Sequence, residues 1–413
     1  MASQGIDVPV GAPPTETVRQ SFAVRYEYPV VFTTGLFDPA NPALIEALAA
    51  REPEKRHRCL VFVDEGPAAA RPGLLAGIEA YAAAHSDRMA LAAPPEIVAG
   101  GERIKTELTH LERLQDRIHE LRIDRHSYVV AIGGGAMLDA VGLAAATAHR
   151  GVRLIRVPTT TLAQNDSGVG VKNAVNLKGV KNYCGTFAPP WAVLNDYDFI
   201  RALPARERIA GIAEAVKVAL IRDPDFFRWL EAHASALATF DEAAERWMIR
   251  RCAELHLRQI GQGGDPFETG SARPLDFGHW SAHKLEALTR HHVRHGEAVA
   301  VGIALDARYS ALAGLLPAGE EERVVALLEH LGFRIWHPAL EARSAAGESL
   351  ILRGLEEFRE HLGGALCVTL LSGLGTGVEV GEMRSDLVAE AMGWLKAREG
   401  GKREGGKREG GAR

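Results

Sequence analysis

Two hydrophobic patterns divide the chain near residue 205. Between about residues 22 and 200, short β-branched runs such as VVFTTGLF, CLVFVDEG, SYVVAIGGG and VRLIRVPTT alternate with stretches rich in Ala and Leu. This alternation is typical of parallel strands covered by helices. Later stretches such as RERIAGIAEAVKVALI and FDEAAERWMIRRCAELHLRQI are long and amphipathic, with one late strand-like run, ALCVTLL. The sequence therefore predicts an α/β domain with a parallel sheet, followed by a mostly α-helical domain.

The domain limits follow from these patterns. We assign residues 1–20 to a flexible N-terminus, 21–204 to the α/β domain, 205–397 to the helical domain and 398–413 to a charged tail. The tail, REGGKREGGKREGGAR, cannot bury apolar surface and is predicted to be disordered. Its charge of +3 leaves the rest of the chain near −8, since the whole chain carries −5. This balance gives no reason to expect a nucleic acid partner.

Cysteine usage and hydropathy narrow the class of protein. Cys59, Cys184, Cys252 and Cys367 lie far apart without a CxxC pair, which argues against a disulfide scaffold and against a cysteine zinc site. No apolar run approaches the ~20 residues that span a bilayer, and the N-terminus lacks a signal pattern. We therefore expect a cytoplasmic protein that does not contact the membrane.

A glycine-rich turn is the first candidate binding feature. The segment AIGGGAMLDAVG, residues 131–142, places glycines 133–135 after a strand and before a helix. Without Cβ atoms, they let a diphosphate approach the N–H groups at the positive end of the helix. The turn is not a GxGxxG fingerprint, and a purely structural turn is an equal alternative. Asp64, Glu102 and Lys105 would suit a dinucleotide, although each also fits a solvated surface charge.

The densest polar stretch is VPTTTLAQNDSGVGVKNAVNLKGVKNYCGTFAPP, residues 157–190. It contains Asp166 and the lysines Lys172, Lys178 and Lys181 beside several asparagines. This composition suits a core poorly and predicts a loop that collects anions and hydroxyl groups. The alternative is a long surface loop with solvated lysines. Long loops inside compact domains are uncommon and usually functional, which favours the binding loop.

The stretch GIAEAVKVALI places Glu214 and Lys217 three residues apart on a helix that otherwise consists of Ala, Val, Ile and Leu. A surface ion pair is one explanation for this spacing. However, an acidic and a basic group on a largely buried helix need partners. A metal ion or a charged ligand would supply them.

Histidines cluster near residue 290. His279 and His283 lie four residues apart on one helical face, and three more histidines follow, ending at His295. Two imidazoles from different helices and one carboxylate form a three-ligand divalent metal site with an open position. We predict His279, His295 and Glu214 as the ligands. We expect the remaining pair, His291 and His292, to be solvated.

Together these motifs resemble the sugar phosphate cyclase family, which includes 3-dehydroquinate synthase. The resemblance covers roughly residues 55–375 and rests on GGGxxxD, RG(x)nVPTT, DSxxGxK, VKN, AExxK, GHxxxH and HGE in matched order. It implies a Rossmann-like NAD-binding domain, a dehydroquinate synthase-like helical domain and a homodimer.

The resemblance also implies roles for individual residues. NAD would contact Asp64, Glu102, Lys105, Gly133, Gly134, Gly135, Asp139, Thr159, Thr160 and Lys181. Zinc or cobalt would be held by Glu214, His279 and His295. The substrate would meet Asp166, Lys172, Asn182, Lys217, Arg258, Glu268, Arg273, Asp276 and His283, with Arg150 reaching in from a second subunit.

The chemistry implied by the family is a lyase reaction without net redox. NAD⁺ oxidises a ring hydroxyl, phosphate leaves by elimination, the hydride returns, and the opened ring closes to a carbocycle. Metal ions stabilise the oxyanions of such reactions, and cations orient the phosphate. His283 would move a proton during ring opening or closure.

Three features depart from the pattern of dehydroquinate synthases. PLDFGH places Asp276 where those enzymes have Asn, and His361 stands near the position of a lysine that precedes their last strand. The segments YEYPVVFTTGLFDPANPAL and SARPLDFGHWSAHKLE are similar to enzymes that cyclise sedoheptulose 7-phosphate to valiolone-type C7 cyclitols. The expected substrate is therefore a seven-carbon sugar phosphate, with sedoheptulose 7-phosphate as the first choice and 2-epi-valiolone or 2-epi-5-epi-valiolone synthases as the nearest relatives.

The sequence leaves three alternative functions open. The first is 3-dehydroquinate synthase itself, in the shikimate pathway. The second is an iron-type alcohol or glycerol dehydrogenase, a class that commonly uses Asp as the carboxylate ligand and lacks the DSGVGVK…VKN segment. The third is a non-catalytic binding relative. The sequence does not decide the stereochemistry of the product or the identity of the metal.

Overall fold

The computed structural model describes residues 16–178, 180–268, 275–361 and 366–409. Its strands are β1 (Val30–Thr33), β2 (His57–Asp64), β3 (Met89–Leu91), β4 (Glu96–Val98), β5 (Tyr128–Gly133), β6 (Arg153–Pro158), β7 (Lys172–Leu177), β8 (Val180–Phe187), β9 (Ala192–Asp196), β10 (Val368–Gly373) and β11 (Thr376–Val380). Its α-helices are α1 (Ala43–Ala49), α2 (Glu65–Ala70), α3 (Leu74–Ala84), α4 (Arg103–Thr106), α5 (Leu108–Glu120), α6 (Gly135–Thr147), α7 (Asp198–Arg201), α8 (Ala205–Ala210), α9 (Ile212–Arg222), α10 (Pro224–Ala238), α11 (Glu242–Gln262), α12 (His279–Leu288), α13 (His295–Leu312), α14 (Glu320–His330), α15 (Arg353–His361) and α16 (Ser385–Glu409). Short 3-10 helices span Ala148–Arg150 and Pro338–Glu341, and a π-helical turn spans Ala163–Ser167.

A parallel sheet forms the first half of the molecule. The strand order is β1-β9-β6-β5-β2-β3, and β4 shares the outer edge of β2 with β3. The chain leaves β2 for β3 and β4 and then returns to β5 on the other side of β2. Ligands of open parallel sheets bind outside the carboxyl ends of the strands at such a reversal. The predicted combination of a parallel α/β sheet and a helical second half is confirmed.

Both faces of this sheet are buried. Val61 and Val63 of β2 face a core that includes Leu44 of α1, whereas Phe62 faces a second core that includes Leu138 of α6. Because helices cover both faces, the strands read as continuous apolar runs rather than as an alternation. Among the described residues, no helix is both long enough and apolar enough to span a membrane.

Residues 157–190 differ from the loop that their polarity predicts. They contain the π-helical turn and an antiparallel hairpin of β7 and β8, which pairs Lys172 with Phe187 and Leu177 with Val180. A buried arginine holds the start of this segment, because the Arg156 guanidinium donates to the carbonyl oxygens of Gly170 and Lys172 at 3.0 and 2.9 Å. The polar residues therefore stand on an ordered hairpin.

The C-terminal tail also differs from its prediction. The structure continues α16 to Glu409, within the segment predicted to be disordered. Arg398 donates to Glu329 at 3.0 Å, and Arg334 donates to Glu399 at 3.2 Å. Side chains at the start of the tail thus contact the helical domain, because the segment directly continues a packed helix and contains helix-forming Glu, Lys and Arg.

Two helices of the second half meet backbone to backbone. Gly278, which precedes α12, has φ of +77°, a conformation that glycine adopts without strain. A Cβ atom placed on Gly302 of α13 would lie only 1.9 Å from the carbonyl oxygen of Gly278. This close crossing holds the first turn of α12, which carries His279, against α13, which begins at His295.

A buried carboxylate ties the same two helices together. Asp306 of α13 is 0% exposed, and it accepts hydrogen bonds from the N–H of Gly278 at 3.1 Å and from Trp280 Nε1 at 2.9 Å. Each carboxylate oxygen thus serves one donor. An amide at this position would aim its NH2 group at one of them.

We therefore expect Asp306→Asn to lower the free energy of unfolding by roughly 1–3 kcal/mol, because one buried donor loses its acceptor. Urea unfolding followed by circular dichroism measures this change. Asp386→Asn is the control, because the Asp386 side chain is largely exposed beside Arg384 and should change stability by less than about 0.5 kcal/mol. Equal stability of both variants would contradict the role given to Asp306.

Candidate metal and nucleotide site

Helix α9 carries two charged side chains into the protein interior. Glu214 and Lys217 are buried among apolar neighbours, and Lys217 Nζ lies 2.5 Å from Glu214 Oε2. Lys217 Nζ also lies 3.8 Å from Asp166 Oδ1, which in turn contacts His256 Nδ1 at 2.8 Å. Alternating charges therefore join α9 to the π-helical turn and to α11. Asp166 and Lys217, each predicted to meet the substrate, thus lie in one cluster.

Two imidazoles converge on the same carboxylate. His279 Nε2 lies 3.8 Å and His295 Nε2 lies 3.5 Å from Glu214 Oε1. The ligand-capable atoms of these three residues all lie within 4.8 Å of one another. The Nδ1 atom of His279 contacts the carbonyl oxygen of Phe277 at 3.1 Å, and that of His295 contacts Glu286 Oε2 at 3.0 Å. Because Nδ1 of each ring has its own partner, Nε2 is the nitrogen that faces Glu214 and that a bound metal ion would take.

The donor set fits a divalent transition metal. Glu214 Oε1 is fully buried and has no hydrogen-bond partner among the described residues. Such an orphaned carboxylate oxygen is costly unless a cation is near. Two imidazole nitrogens and one carboxylate oxygen suit zinc or cobalt, and outer hydrogen bonds already orient both imidazoles. The residues therefore fit the metal that the sequence predicts.

The electrostatic environment favours the charged forms of Glu214 and His295 and the neutral form of His283. Burial alone would raise the pKa of Glu214, but the Lys217 ammonium together with His295 and His279 lowers it to about 2. Burial would lower the pKa of His295, but the carboxylates of Glu286 and Glu214 raise it to about 9. For His283, burial and the nearby Lys181 ammonium keep the pKa well below its usual range. The acidic groups are thus ionised, and His283 is neutral at pH 7.

Of the predicted nucleotide residues, Asp64, glycines 133–135, Thr159 and Thr160 lie at or just after the carboxyl ends of β2, β5 and β6. Asp64 ends β2, is buried, and accepts a hydrogen bond from the N–H of Gly66 at 2.8 Å. The carbonyl oxygen of Gly133, at the end of β5, accepts from the N–H of Thr159 at 3.0 Å. A Cβ atom on Gly135 would lie 2.5 Å from Ser167 Oγ. Close internal packing is thus one reason for these glycines, beside the access that they give to α6.

Two lysines connect this edge to the metal helices. Lys105 Nζ contacts Asp139 Oδ2 at 2.7 Å and Asn182 Oδ1 at 2.5 Å. Lys181 Nζ lies 3.6 Å from Glu102 Oε1 and 2.9 Å from an oxygen of Glu286, on α12. Through Glu286, the pairs of Lys181 therefore extend from Glu102 to the predicted metal ligand His295.

Lys172 forms another charged group. Its Nζ lies 2.7 Å from Glu268 Oε1. Burial lowers the pKa of Lys172, but Asp276 and Glu268 together raise it above its usual value. Lys172, Glu268 and Asp276, predicted to meet the substrate, thus influence one another electrostatically.

Two protein-family models match this chain and together cover more than half of it. The model of the 3-dehydroquinate synthase N-terminal domain matches residues 96–210, and the model of the C-terminal domain matches residues 211–350. The chain belongs to the 3-dehydroquinate synthase family. The resemblance to sugar phosphate cyclases is thereby confirmed.

The relatives of this family member include a 3-dehydroquinate synthase and a 2-epi-5-epi-valiolone synthase. The chain is 39% identical over 293 residues to a 3-dehydroquinate synthase of Halorhodospira halophila, which covers 71% of this chain and 80% of that protein. It is 36% identical over 369 residues to 2-epi-5-epi-valiolone synthase of Streptomyces glaucescens, with 89% of each chain covered.

Two solved structures of synthases also match the fold of this chain. ValA, a 2-epi-5-epi-valiolone synthase from Streptomyces hygroscopicus subsp. jinggangensis with NAD⁺ and Zn²⁺ bound, matches with a TM-score of 0.81 at 30% identity, covering 92% of this chain and 99% of that chain. A 2-deoxy-scyllo-inosose synthase complexed with carbaglucose-6-phosphate, NAD⁺ and Co²⁺ matches with a TM-score of 0.70 at 25% identity, covering 88% and 95%.

Some predicted site residues of this family member lie away from the centre. Arg150 follows the end of α6 opposite to the glycine turn, and 13 helical residues span about 20 Å. Arg258 is exposed on α11. His291 and His292, which were predicted to be solvated rather than part of the site, are exposed after α12. Arg273 lies outside the described residues.

The sequence interpretation missed His256 and Glu286, which contact Asp166 and His295. His256 has a weak signal, because it stands in an amphipathic helix of mixed composition. The sequence signal of Glu286 is stronger, since Glu286 lies seven residues after His279 and three after His283 on the same face of α12.

Proposed function

We propose that this protein is a NAD- and divalent-metal-dependent sugar phosphate cyclase. In this proposal it converts a seven-carbon sugar phosphate, first of all sedoheptulose 7-phosphate, to a carbocyclic C7 cyclitol with elimination of phosphate. The observation that carries the proposal is the convergence of His279 Nε2 and His295 Nε2 on the orphaned Glu214 Oε1. The cofactors found in ValA and in the inosose synthase support NAD and zinc or cobalt here.

The two cofactors have separate places in this proposal. Asp64, the glycine turn and the residues after β6 would hold NAD, and Glu214 of α9, His279 of α12 and His295 of α13 would hold the metal. When bound, they supply reversible oxidation of a ring hydroxyl and Lewis acid stabilisation of oxygen anions. The predicted nucleotide contacts are Asp64, Glu102, Lys105, Gly133, Gly134, Gly135, Asp139, Thr159, Thr160 and Lys181.

Side chains around the metal position the substrate and move protons. Lys217 stays protonated, because Glu214 and Asp166 outweigh the effect of burial and raise its pKa. It can therefore donate hydrogen bonds to hydroxyl or phosphate oxygens. His283 is neutral and lies beside His279 and His295, with ring centroids 5.4 and 5.9 Å away. A neutral imidazole at this position accepts a proton in one step and returns it in another.

We also propose a homodimer in the cytoplasm, in which Arg150 of the partner subunit completes the substrate site. The exposed position of Arg150, at the far end of α6 from the glycine turn, supports a contribution across an interface rather than within one chain. Sedimentation of the purified protein checks this assembly. A monomer that is fully active would contradict it.

A second candidate is 3-dehydroquinate synthase, supported by the 39% identical relative from Halorhodospira. Sedoheptulose 7-phosphate and the carboxylated seven-carbon precursor of 3-dehydroquinate are incubated separately with enzyme, NAD⁺ and Zn²⁺ or Co²⁺. Phosphate release, absorbance of NADH and product identity by NMR are measured. The proposal expects phosphate and a C7 cyclitol from sedoheptulose 7-phosphate at constant NADH absorbance. Release from the carboxylated substrate alone would favour the second candidate, and net NADH would favour a dehydrogenase.

Asp276 gives a specificity prediction. Its carboxylate should repel a carboxylated substrate, since two unit charges about 4 Å apart interact by about 4 kcal/mol at an effective dielectric constant of 20. We expect Asp276→Asn to shift the ratio of kcat/KM for the two substrates at least about tenfold towards the carboxylated one, because 1.4 kcal/mol is sufficient. Steady-state kinetics measures the ratio. Asp116→Asn, on the exposed face of α5, is the control, and an unchanged ratio in Asp276→Asn would remove Asp276 from substrate selection.

A further inference from the structure

Glu286 joins the two halves of the molecule through one buried carboxylate. Its Oε2 accepts a hydrogen bond from His295 Nδ1 at 3.0 Å. Lys181, on β8 of the hairpin, donates to Oε1 at 2.9 Å and to Oε2 at 3.1 Å. The residue is 3% exposed, so water does not replace these partners. A lysine from the first half and a predicted metal ligand from the second half thus share the same carboxylate.

The contact with His295 decides how that imidazole is presented. A histidine ring binds a metal through one nitrogen only when the other nitrogen carries the proton, and a carboxylate on Nδ1 enforces this arrangement. In this structure, the contact turns Nε2 towards Glu214 Oε1, 3.5 Å away. Loss of the carboxylate would leave the ring free to flip or to exchange its proton between the nitrogens.

The contact with Lys181 decides where the carboxylate itself lies. Lys181 Nζ reaches both oxygens of Glu286 and also lies 3.6 Å from Glu102 Oε1. The carboxylate is therefore held between two partners, one from each half of the molecule.

We propose that Glu286 is a positioning residue that orients His295, and that Lys181 acts on the metal site through it. The affinity for the metal then depends on a side chain of the sheet domain that does not touch the metal ligands itself. This inference rests on the metal site of the proposed function and adds a residue to which that function gives no role. Because Lys181 is also a predicted nucleotide contact, the same carboxylate would link occupancy of the two cofactor sites.

The first test compares three forms of the metal-free protein: wild type, Glu286→Gln and Glu286→Leu. Their Co²⁺ affinity is measured by competition with a chromophoric chelator, which needs no enzyme activity. Loss of an outer partner of a metal ligand typically costs about 10–100-fold in affinity. We expect about tenfold weaker binding for Glu286→Gln, which keeps an acceptor oxygen, and about 100-fold for Glu286→Leu. The visible absorption bands of bound Co²⁺ should also shift, because His295 is oriented differently.

The second test is a double-mutant cycle between Lys181→Met and Glu286→Gln, again with Co²⁺ affinity as the readout. Residues in direct contact show non-additive effects, and distant residues add within about 0.5 kcal/mol, or about twofold. We expect the two changes to depart from additivity by at least about fivefold. Lys105→Met is the matched control, because Lys105 is also a buried lysine of the same region but contacts Asp139 and Asn182 instead. Its effect should add to that of Glu286→Gln within about twofold.

The outcomes separate this inference from the proposed function. If the wild-type protein fails to bind Co²⁺, the metal site itself is wrong. If the wild type binds Co²⁺ and Glu286→Leu binds it equally well with an unchanged spectrum, Glu286 has no positioning role and the proposed function stands. If Lys105→Met couples to Glu286→Gln as strongly as Lys181→Met does, the effect is general electrostatics and the link through Lys181 is wrong. Thermal unfolding of each variant shows that the folded protein is being compared.

Discussion

Glu214→Gln is expected to remove the metal ion and to abolish cyclase activity. The amide keeps the size of the side chain but loses the charge on which both Nε2 atoms converge. Loss of one of three direct ligands should weaken binding by more than the roughly 10–100-fold typical of outer partners. Metal content after dialysis, measured by mass spectrometry, and phosphate release from the substrate provide the two readouts.

The same change should also destabilise the protein, for a separate reason. Lys217 is buried and would keep the more distant carboxylates, such as Asp166 at 3.8 Å, as counter-charges. Removing one partner of a buried ion pair typically costs about 3–5 kcal/mol. The double variant Glu214→Gln/Lys217→Met removes both charges and should recover much of this loss in urea unfolding. It should still lack the metal, which separates loss of the ligand from loss of the fold.

His292→Ala provides the matched control for the histidine assignment. His292 is exposed after α12, whereas His295 begins α13 at the site. His292→Ala should retain metal and activity within about twofold, as is usual for surface changes. If Glu214→Gln keeps a full complement of metal, or if His292→Ala loses it, the proposed ligand set is incorrect.

The cluster of Glu214, His279 and His295 could be predicted from sequence because its signals are local. An acidic and a basic residue on an otherwise apolar helix indicated Glu214 and Lys217, and histidines at the start of two helices indicated the remaining ligands. The same reasoning applied to HGEAVAVGIALDARYS would have singled out Asp306, and applied to VRLIRVP it would have singled out Arg156. Both are fully buried and hydrogen-bonded in the structure. A single charged residue within an apolar run therefore indicates either a metal ligand or a buried side chain that connects two elements by hydrogen bonds.

Other parts of the fold depended on contacts that the sequence hides. Strand β9 lies between β1 and β6, but its five residues are too short to show a period, and only the preceding prolines and the closing Asp196 mark it. The hairpin of β7 and β8 is polar and largely exposed along β8, so its strands resemble a loop in composition. The register that pairs Lys172 with Phe187 and Leu177 with Val180 has no marked apolar pattern along β8. The contact between Lys181 and Glu286 spans 105 positions and has no local signature.

Gly302→Ala is expected to disrupt the metal site from outside it. The added methyl group would lie 1.9 Å from the carbonyl oxygen of Gly278, so α12 must move away from α13. Overpacking of this kind typically costs about 1–3 kcal/mol of stability, and occasionally more. The movement separates the first turn of α12, which carries His279, from His295. Because a displacement of about 1 Å in a catalytic geometry can cost about 100-fold in rate, we expect at least that loss in phosphate release.

Gly393→Ala is the control for this prediction, because it makes the same change in another helix of the same half of the chain. A Cβ atom on Gly393 meets no atom within 4 Å, and the residue is exposed on α16. Alanine is a better helix former there, so Gly393→Ala should gain about 0.5–1 kcal/mol of stability and keep full activity. Co²⁺ titration distinguishes the causes in Gly302→Ala: weakened binding in a protein that is still folded shows that the crossing of α12 and α13 sets the distance between the two imidazoles. Unchanged Co²⁺ affinity and activity in Gly302→Ala would show that this crossing tolerates a methyl group and does not set the metal geometry.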